Sequence, residues 1–325
     1  MKGILNAFAL ALFMNRAFLL VVEANYNYTD IFEGDVDWSV HTVISNGRLS
    51  PHTDSNVNIE CFNTDCNCFP NQEVDNPEKY RNFTRVTLVA NMHCDGYTIH
   101  LWKMANFFQN KGFFQDSLWR SKVTSFFLRP KPVIVHALKI ALNKPIDEEL
   151  TIKDFPLFVI HQRSGGDIVR EGKVIGNEYA PYDRGYSVTN NMDIQIPRIT
   201  QCVDTVMKTN HIVKGAANIF VAADNSHALE LFHKSLPPVI GGEVLDGSKV
   251  GDLGHVILAF QSLKMVHYRV HVEFEILRRA RFFLGGESGF TFTAYHTRAR
   301  PDMSFYAAWD NCDFPYVRFW TYGYT

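Results

Sequence analysis

The chain has 325 residues, of which 46% are apolar and 20% charged, and this composition excludes disordered, collagen-like and low-complexity classes. At about 150 residues per domain, the length allows about two hydrophobic cores. The 32 Lys and Arg residues against 34 Asp and Glu residues leave a net charge of -2. A nucleic-acid binder normally gathers a basic excess on one face, so the balance argues against that class.

The N-terminus is typical of a secretory signal peptide. Lys2 precedes two apolar runs, 4–14 and 17–22, and small residues around Ala24 stand at the spacing that a signal peptidase reads. Neither run reaches the roughly 18 residues needed to span a bilayer. We therefore expect residues 1–24 to be a cleaved signal rather than a stable transmembrane span, with a buried helix as the alternative.

Two sequons, at Asn27 and Asn82, predict N-glycosylation. Together with the signal they predict the lumen of the secretory pathway, either the endoplasmic reticulum or the Golgi, or secretion. Cysteines in that oxidising compartment normally form disulfides, whose connectivity the sequence leaves open. The six cysteines are Cys61, Cys66, Cys68, Cys94, Cys202 and Cys312. The weaker alternative is a zinc site built from the first three of these with His93 or Cys94.

The first half of the chain contains few regular patterns. The polar segment 59–82 is typical of a loop tied by disulfides. The expected elements are a strand at 85–90, a helix at 98–108 and a helix at 133–142. Residues 143–149 form the most linker-like stretch, so we expect an N-terminal domain over 25–150 and a C-terminal domain over 151–325.

The second half alternates strands and helices. Expected strands are 155–160, 218–223 and 281–284, with 238–240 as a further candidate. Expected helices are 196–207 with Pro197 near its start, 227–234 capped by Asn225 and Ser226, 267–280, and one opening after the loop 285–289. This alternation predicts an α/β fold with a doubly wound parallel sheet. Ligands of such sheets bind at the carboxyl ends of the strands.

Three groups of polar residues fall near these strands. The first, 161–167, carries Arg163, whose planar guanidinium matches phosphate oxygens, and glycines that let backbone approach a ligand. The second is Glu273. The third is Ser288 with Thr291 at the start of a helix, where hydroxyls and unpaired N–H groups suit an anion. The simpler alternatives are a surface ion pair in a glycine turn for the first and a helix cap for the third.

Three segments stand in an informative order. Residues 161–167 have the pattern H-x-R-x-G-x-D, residues 220–224 read F-V-A-A-D, and residues 273–291 hold an acid, Leu, Ala, Phe and Gly before Ser-Gly-Phe-Thr. This set resembles the protein O-fucosyltransferases and their wider family, which includes the α1,6- and α1,2-fucosyltransferases. The likeness covers about residues 155–298. It implies two facing Rossmann-like domains of the GT-B type, with parallel sheets and helices on both faces.

The resemblance also implies a donor site for GDP-fucose, held mainly by the C-terminal domain. Arg163 would bind the pyrophosphate and stabilise the departing GDP, while His161 and Glu273 would lie beside the nucleoside. The start of the later helix would wrap the phosphates. The implied donor-binding residues are His161, Arg163, Asp167, Glu273, Ser288, Gly289, Phe290 and Thr291.

The implied activity is an inverting, metal-independent fucosyltransferase that needs no cofactor beyond its donor substrate. It would transfer fucose to a hydroxyl of a protein or oligosaccharide acceptor held by the N-terminal, acceptor-side domain. The catalytic residues would be Arg163 and, as general base, Asp95, with His93 as the alternative. Glu287 and the loss of the family's G-x-x-G-N-Q loop at 92–97 favour a second hypothesis, an inactive secreted relic that binds glycans or proteins.

Two further patterns are weaker candidates for metal binding. The D-x-D at 35–37 matches metal-dependent glycosyltransferases but fits an acidic loop better. His267 and His271 stand four residues apart on a predicted helix without the Glu of H-E-x-x-H, so we expect a solvated helix face there. We therefore expect no metal site.

Overall fold

The computed structural model describes residues 30–34, 56–61, 85–90, 119–162, 167–170, 173–177, 192–251, 253, 264–286, 288–307 and 312. The chain divides into two compact units. The smaller comprises Met1–Glu23, Phe32–Arg129 and Arg318–Thr325, and the larger comprises Ala24–Ile31 and Pro130–Val317. Residues 130–150 thus belong with the larger unit, while the proposed domain boundary at residue 150 stays a prediction.

Eleven strands, seven α-helices and a short 3-10 helix, Ile152–Asp154, lie in the described ranges. The strands are β1 Phe32–Glu33, β2 Asn56–Cys61, β3 Arg85–Ala90, β4 Arg129–Pro130, β5 Phe158–Gln162, β6 Asp167–Arg170, β7 Lys173–Asn177, β8 Ile219–Ala223, β9 Val244–Asp246, β10 Phe282–Gly285 and β11 Ser304–Ala307. The helices are α1 Trp119–Phe127, α2 Pro132–Ala141, α3 Met192–Thr209, α4 Ser226–Ser235, α5 Pro237–Ile240, α6 Lys264–Leu277 and α7 Gly289–His296. No helix in these ranges combines the length and apolar character of a membrane crossing.

In the smaller unit, β2 and β3 pair in parallel, from Asn56 opposite Arg85 to Cys61 opposite Ala90. The strand predicted at 85–90 is therefore confirmed. The helix predicted at 98–108 lies outside the described residues. The helix predicted at 133–142 is α2 of the larger unit, which begins with Pro132 at its first turn, where a missing N–H is tolerated.

The larger unit contains a five-stranded sheet in the order β11-β10-β5-β8-β9, with every neighbouring pair parallel. Every residue of β5, β8 and β10 is buried, as expected for strands covered on both faces. Phe158 and Ile160 join one core cluster with residues of α3 and α4. Helix α6 packs on β5 and β8 from the opposite face. The predicted α/β class, with a parallel sheet between helices, is confirmed.

The chain reverses direction in the middle of this sheet. From β5 it passes through α3 to β8 and through α4 to β9, always moving toward one edge. Helix α6 then returns to β10 on the other side of β5, and α7 leads on to β11. Because parallel crossovers are right-handed, the reversal places α3 and α7 on opposite faces. The topological switch point, where ligands of such folds bind, therefore lies between β5 and β10.

The prediction of a strand at 238–240 is wrong. These residues belong to the short helix α5, which starts with Pro237 in its first turn and ends at Gly241 in the left-handed region, with φ 66°. Proline at a helix start and glycine just past its end fit that helix, and a short apolar run cannot separate strand from helix. The strand is β9, a few residues later. The predicted Asn225 cap of α4 is confirmed, because its Oδ1 accepts a 3.1 Å hydrogen bond from the Ala228 N–H.

Helix α3 starts earlier than expected, so Pro197 lies inside it rather than near its start.

Cys202, in the same helix, forms a disulfide with Cys312, which follows β11. The bridge closes a loop of 110 residues, and the chain-entropy model assigns roughly 4–5 kcal/mol to a loop of that length. The disulfide prediction is thus confirmed for these two cysteines. The side chains of the other four lie outside the described residues.

Candidate functional site

The switch point brings together four of the predicted donor-site residues. His161 lies near the end of β5, directly opposite Gly285 of β10. The chain then continues through Gly286 to α7, whose N-cap is Ser288. Phe290 and Thr291 follow in the first turn of that helix, so residues far apart in sequence meet at one point.

Hydrogen bonds connect the hydroxyls and the imidazole of this group. The Thr291 N–H donates to Ser288 Oγ at 3.0 Å, and the Ser288 hydroxyl donates to Thr291 Oγ1 at 3.0 Å. Thr291 Oγ1 lies 2.6 Å from His161 Nδ1. All three residues are buried, and Thr291 is fully so. The helix-cap alternative for Ser288 is therefore confirmed, and both hydroxyls face the imidazole rather than open solvent.

Tight packing surrounds this hydrogen-bonded group. A Cβ added at Gly285 would lie 2.7 Å from Thr291 Cγ2, so no larger residue fits at the end of β10 without displacement. The Phe290 ring lies 5.1 Å from the His161 ring and 5.8 Å from that of Phe274. The imidazole is thus held between a hydroxyl and an aromatic ring.

A second polar group lies on α6. Arg269 Nε donates to Glu273 Oε1 at 2.8 Å, and its Nη1 donates to the Gly251 carbonyl at 3.1 Å. The side chains of Arg269 and Glu273 are only 4% and 9% exposed. The third guanidinium nitrogen, Nη2, is buried and has no hydrogen-bond partner among the described residues. The sequence shows this i, i+4 pair, but sequence reasoning did not select Arg269.

Carboxylates gather around this pair. Burial raises the pKa of Glu273 above its ordinary range, although Arg269 opposes the rise. The negative charges of Asp246 and Asp224, at the ends of β9 and β8, raise that pKa further. Glu273 therefore lies where sheet and helix bring three carboxylates near one another, with Arg269 as the cation among them.

Asp246 is held by its own partners. One carboxylate oxygen lies 2.6 Å from His233 Nε2, and the other accepts from the Ser248 N–H at 2.6 Å. Burial acts to raise the pKa of Asp246, but the hydrogen bonds from Ser248 and His233 outweigh it and hold the pKa below its ordinary value.

Several predicted site residues lie outside the described residues, namely Arg163, Asp95, His93, Glu287 and both sequon asparagines, Asn27 and Asn82. The backbone of Asp167 starts β6, opposite Asn177 of β7, and Gly289 is the first residue of α7.

Within the described ranges no three His, Cys, Asp or Glu side chains cluster as a metal site would require. His271 is buried, so the prediction of a solvated helix face is wrong at that residue, and the side chain of His267 lies outside the described residues.

The five-stranded parallel sheet between helices is a mixed α/β fold, and this fold is similar to that of a solved GT-B-like structure. A similar solved structure is that of a mutant of the fucosyltransferase FUT1 from Arabidopsis thaliana in complex with GDP, with a TM-score of 0.54 and 10% sequence identity. The match covers 94% of this chain and 66% of that one, so this chain spans less than two thirds of that protein's length. No protein-family model and no curated protein sequence matches the chain.

Proposed function

We propose that the protein is an inverting fucosyltransferase that transfers fucose from GDP-fucose to a hydroxyl of a protein or glycan acceptor. The observation that carries this proposal is the cluster of His161, Ser288 and Thr291 at the switch point, in a fold similar to one solved with GDP. The resemblance of residues 161–167 and 273–291 to the fucosyltransferase motifs supports the choice of donor.

In the proposed reaction the acceptor oxygen attacks the anomeric carbon of fucose from the side opposite GDP. The bond from that carbon to the diphosphate oxygen breaks, and its electron pair leaves with GDP. Arg163 stabilises the charge that develops on the diphosphate, and Asp95 takes the proton from the acceptor hydroxyl. The N–H groups at the start of α7 face the same anion. The proposal needs no metal and no cofactor besides the donor.

The proposal includes a location in the secretory pathway. Its supports are the signal-like residues 1–24 and the sequons at Asn27 and Asn82. The Cys202–Cys312 disulfide is consistent with an oxidising lumen. A mobility shift of the expressed protein on treatment with an N-glycosidase tests this part of the proposal.

Calorimetric titration of the full-length protein with GDP tests the donor site directly. We expect saturable binding in the wild type and weaker binding, by about tenfold to a hundredfold, in Arg163→Ala, because hydrogen bonds to charged groups are among the strong ones. Transfer from GDP-fucose should fall in the same variant. The matched control is Arg198→Ala, an exposed arginine on α3. The absence of binding heat in the wild type would refute the proposal and favour the binding relic. Normal turnover in Arg163→Ala would refute the assignment of the donor site to Arg163.

A further inference from the structure

Arg269 carries a buried hydrogen-bond donor that the described part of the chain does not satisfy. Its Nε and Nη1 are paired with Glu273 and Gly251, but Nη2 has no partner. Buried polar groups in folded proteins are nearly always hydrogen-bonded, and an unsatisfied charged donor is especially costly. An unpaired guanidinium nitrogen therefore points to an acceptor supplied from outside these residues.

The position of Arg269 favours a ligand as the source of that acceptor. Helix α6 runs from the carboxyl end of β9 back to the start of β10, so its earlier turns lie nearer the carboxyl edge of the sheet. Arg269 precedes Glu273 by four residues, which is about 6 Å along the helix axis. Arg269 is therefore closer than Glu273 to the edge where ligands of this fold class bind.

The backbone of Gly247, just after β9, approaches the pair closely. A Cβ at this position would lie 2.6 Å from Glu273 Oε1 and 2.7 Å from Arg269 Nε. Glu273 uses Oε1 for Arg269, and its Oε2 makes no hydrogen bond to a described residue. The pair therefore holds a buried donor, Nη2, and an acceptor, Oε2, that no described residue satisfies.

The surrounding charge selects the kind of group that fits here. Asp224 and Asp246 add negative charge around Glu273, so a diphosphate would be repelled. A neutral group that carries an acceptor oxygen next to an N–H suits the pair instead. The O6 and N1–H of guanine form such an edge, and arginine is the usual partner of guanine O6.

We propose that Arg269 is a specificity-determining residue that donates a hydrogen bond from Nη2 to the base oxygen of the bound nucleotide, beside the Glu273 carboxylate. This inference rests on the proposed function, since it takes GDP as the ligand. It assigns to Arg269 a direct contact with the donor substrate, in addition to the ion pair within α6.

The experiment compares GDP with the diphosphate of 2-aminopurine riboside, which lacks O6 and also the N1–H. In calorimetric titrations the wild type should bind GDP at least about tenfold more tightly than the analogue, and the Arg269 variant then isolates the contribution of O6. Arg269→Lys keeps the positive charge but removes the guanidinium fork, so it should weaken GDP binding about tenfold and leave the analogue unchanged. The matched control is Arg279→Lys, because Arg279, just after the end of α6, also forms an i, i+4 ion pair, with Glu275 of that helix.

The outcomes separate this inference from the function on which it rests. Equal binding of GDP and the analogue by the wild type would overturn the role of Arg269 even if the variant failed to fold. If Arg269→Lys lost the same binding affinity for both ligands, or lost none for either, the proposed role of Arg269 would also be overturned. Neither result would contradict the proposed function. A wild type that binds no GDP would remove the proposed function and this inference together.

Discussion

Replacing Thr291 with valine tests the hydrogen-bonded group at the switch point. Valine has nearly the same shape as threonine, so the substitution removes Oγ1 without opening a cavity. Two buried groups then lose a hydrogen bond: the Ser288 hydroxyl, 3.0 Å away, and His161 Nδ1, 2.6 Å away. Each loss costs about 1–3 kcal/mol. Ser288 Oγ also lies 3.4 Å from His161 Nδ1 and can replace part of the loss, so the free energy of unfolding should fall by roughly 2–5 kcal/mol, less than two full losses.

Thr291→Ser makes the opposite change. It keeps the hydroxyl and removes the Cγ2 methyl, which lies against Gly285. Loss of one buried methyl group costs about 1 kcal/mol. The serine variant should therefore be more stable than the valine variant, although serine is smaller and more polar. Burial alone predicts the reverse order, so the ranking isolates the contribution of the hydrogen bonds.

Guanidinium chloride unfolding, with the disulfide intact, measures both variants against the wild type. Thr200→Val is the control, because Thr200 Oγ1 donates to the Ile196 carbonyl at 2.8 Å in a half-buried position where water can replace it. That variant should lose less than about 1 kcal/mol. If Thr291→Val proved as stable as Thr291→Ser, the hydrogen bonds to His161 and Ser288 would contribute nothing measurable and the reasoning would be refuted.

Gly285→Ala should lower the free energy of unfolding by about 1–3 kcal/mol, because its Cβ would lie 2.7 Å from Thr291 Cγ2, and an unchanged thermal midpoint would contradict this. Asn225→Ala should cost about 1 kcal/mol through loss of the α4 cap, whereas Asn225→Asp should be nearly neutral in the same assay. Because the folded state lowers the pKa of Asp246, its contribution to stability is present above its ordinary pKa and is lost as the pH falls through the folded value. Unfolding measured against pH should show less acid-induced loss in Asp246→Asn than in the wild type.

The sequence predicted strands best where they are continuous apolar runs. β5, β8 and β10 lie within a few residues of their expected positions because both of their faces are buried and Val, Ile and Phe dominate them. β9 was missed because it has only three residues. The apolar residues at 238–240 were the more visible signal, but the prolines around them favour a helix turn.

The candidate site was predictable only in part, because its geometry depends on the return of the chain through α6. The cap at Ser288 follows from local sequence, since a serine behind glycines commonly starts a helix. Its hydrogen bond to Thr291 is local as well, but the approach of both hydroxyls to His161 depends on the pairing of β5 with β10, strands more than 100 residues apart. The i, i+4 spacing of Arg269 and Glu273 is equally visible in the sequence, but a solvated pair and a buried one have the same spacing.

The two polar groups also differ in charge, and under the proposed function this difference gives the bound nucleotide a direction. The start of α7, capped by Ser288, carries the partial positive charge of a helix N-terminus and lies at the switch point. The ends of β8 and β9 carry Asp224 and Asp246, near Glu273 on α6, where an anion is disfavoured. Under the proposed function the diphosphate therefore lies between β5 and β10, and the base extends toward β9. A net charge of -2 does not oppose such binding, because the charges that contact the ligand are local.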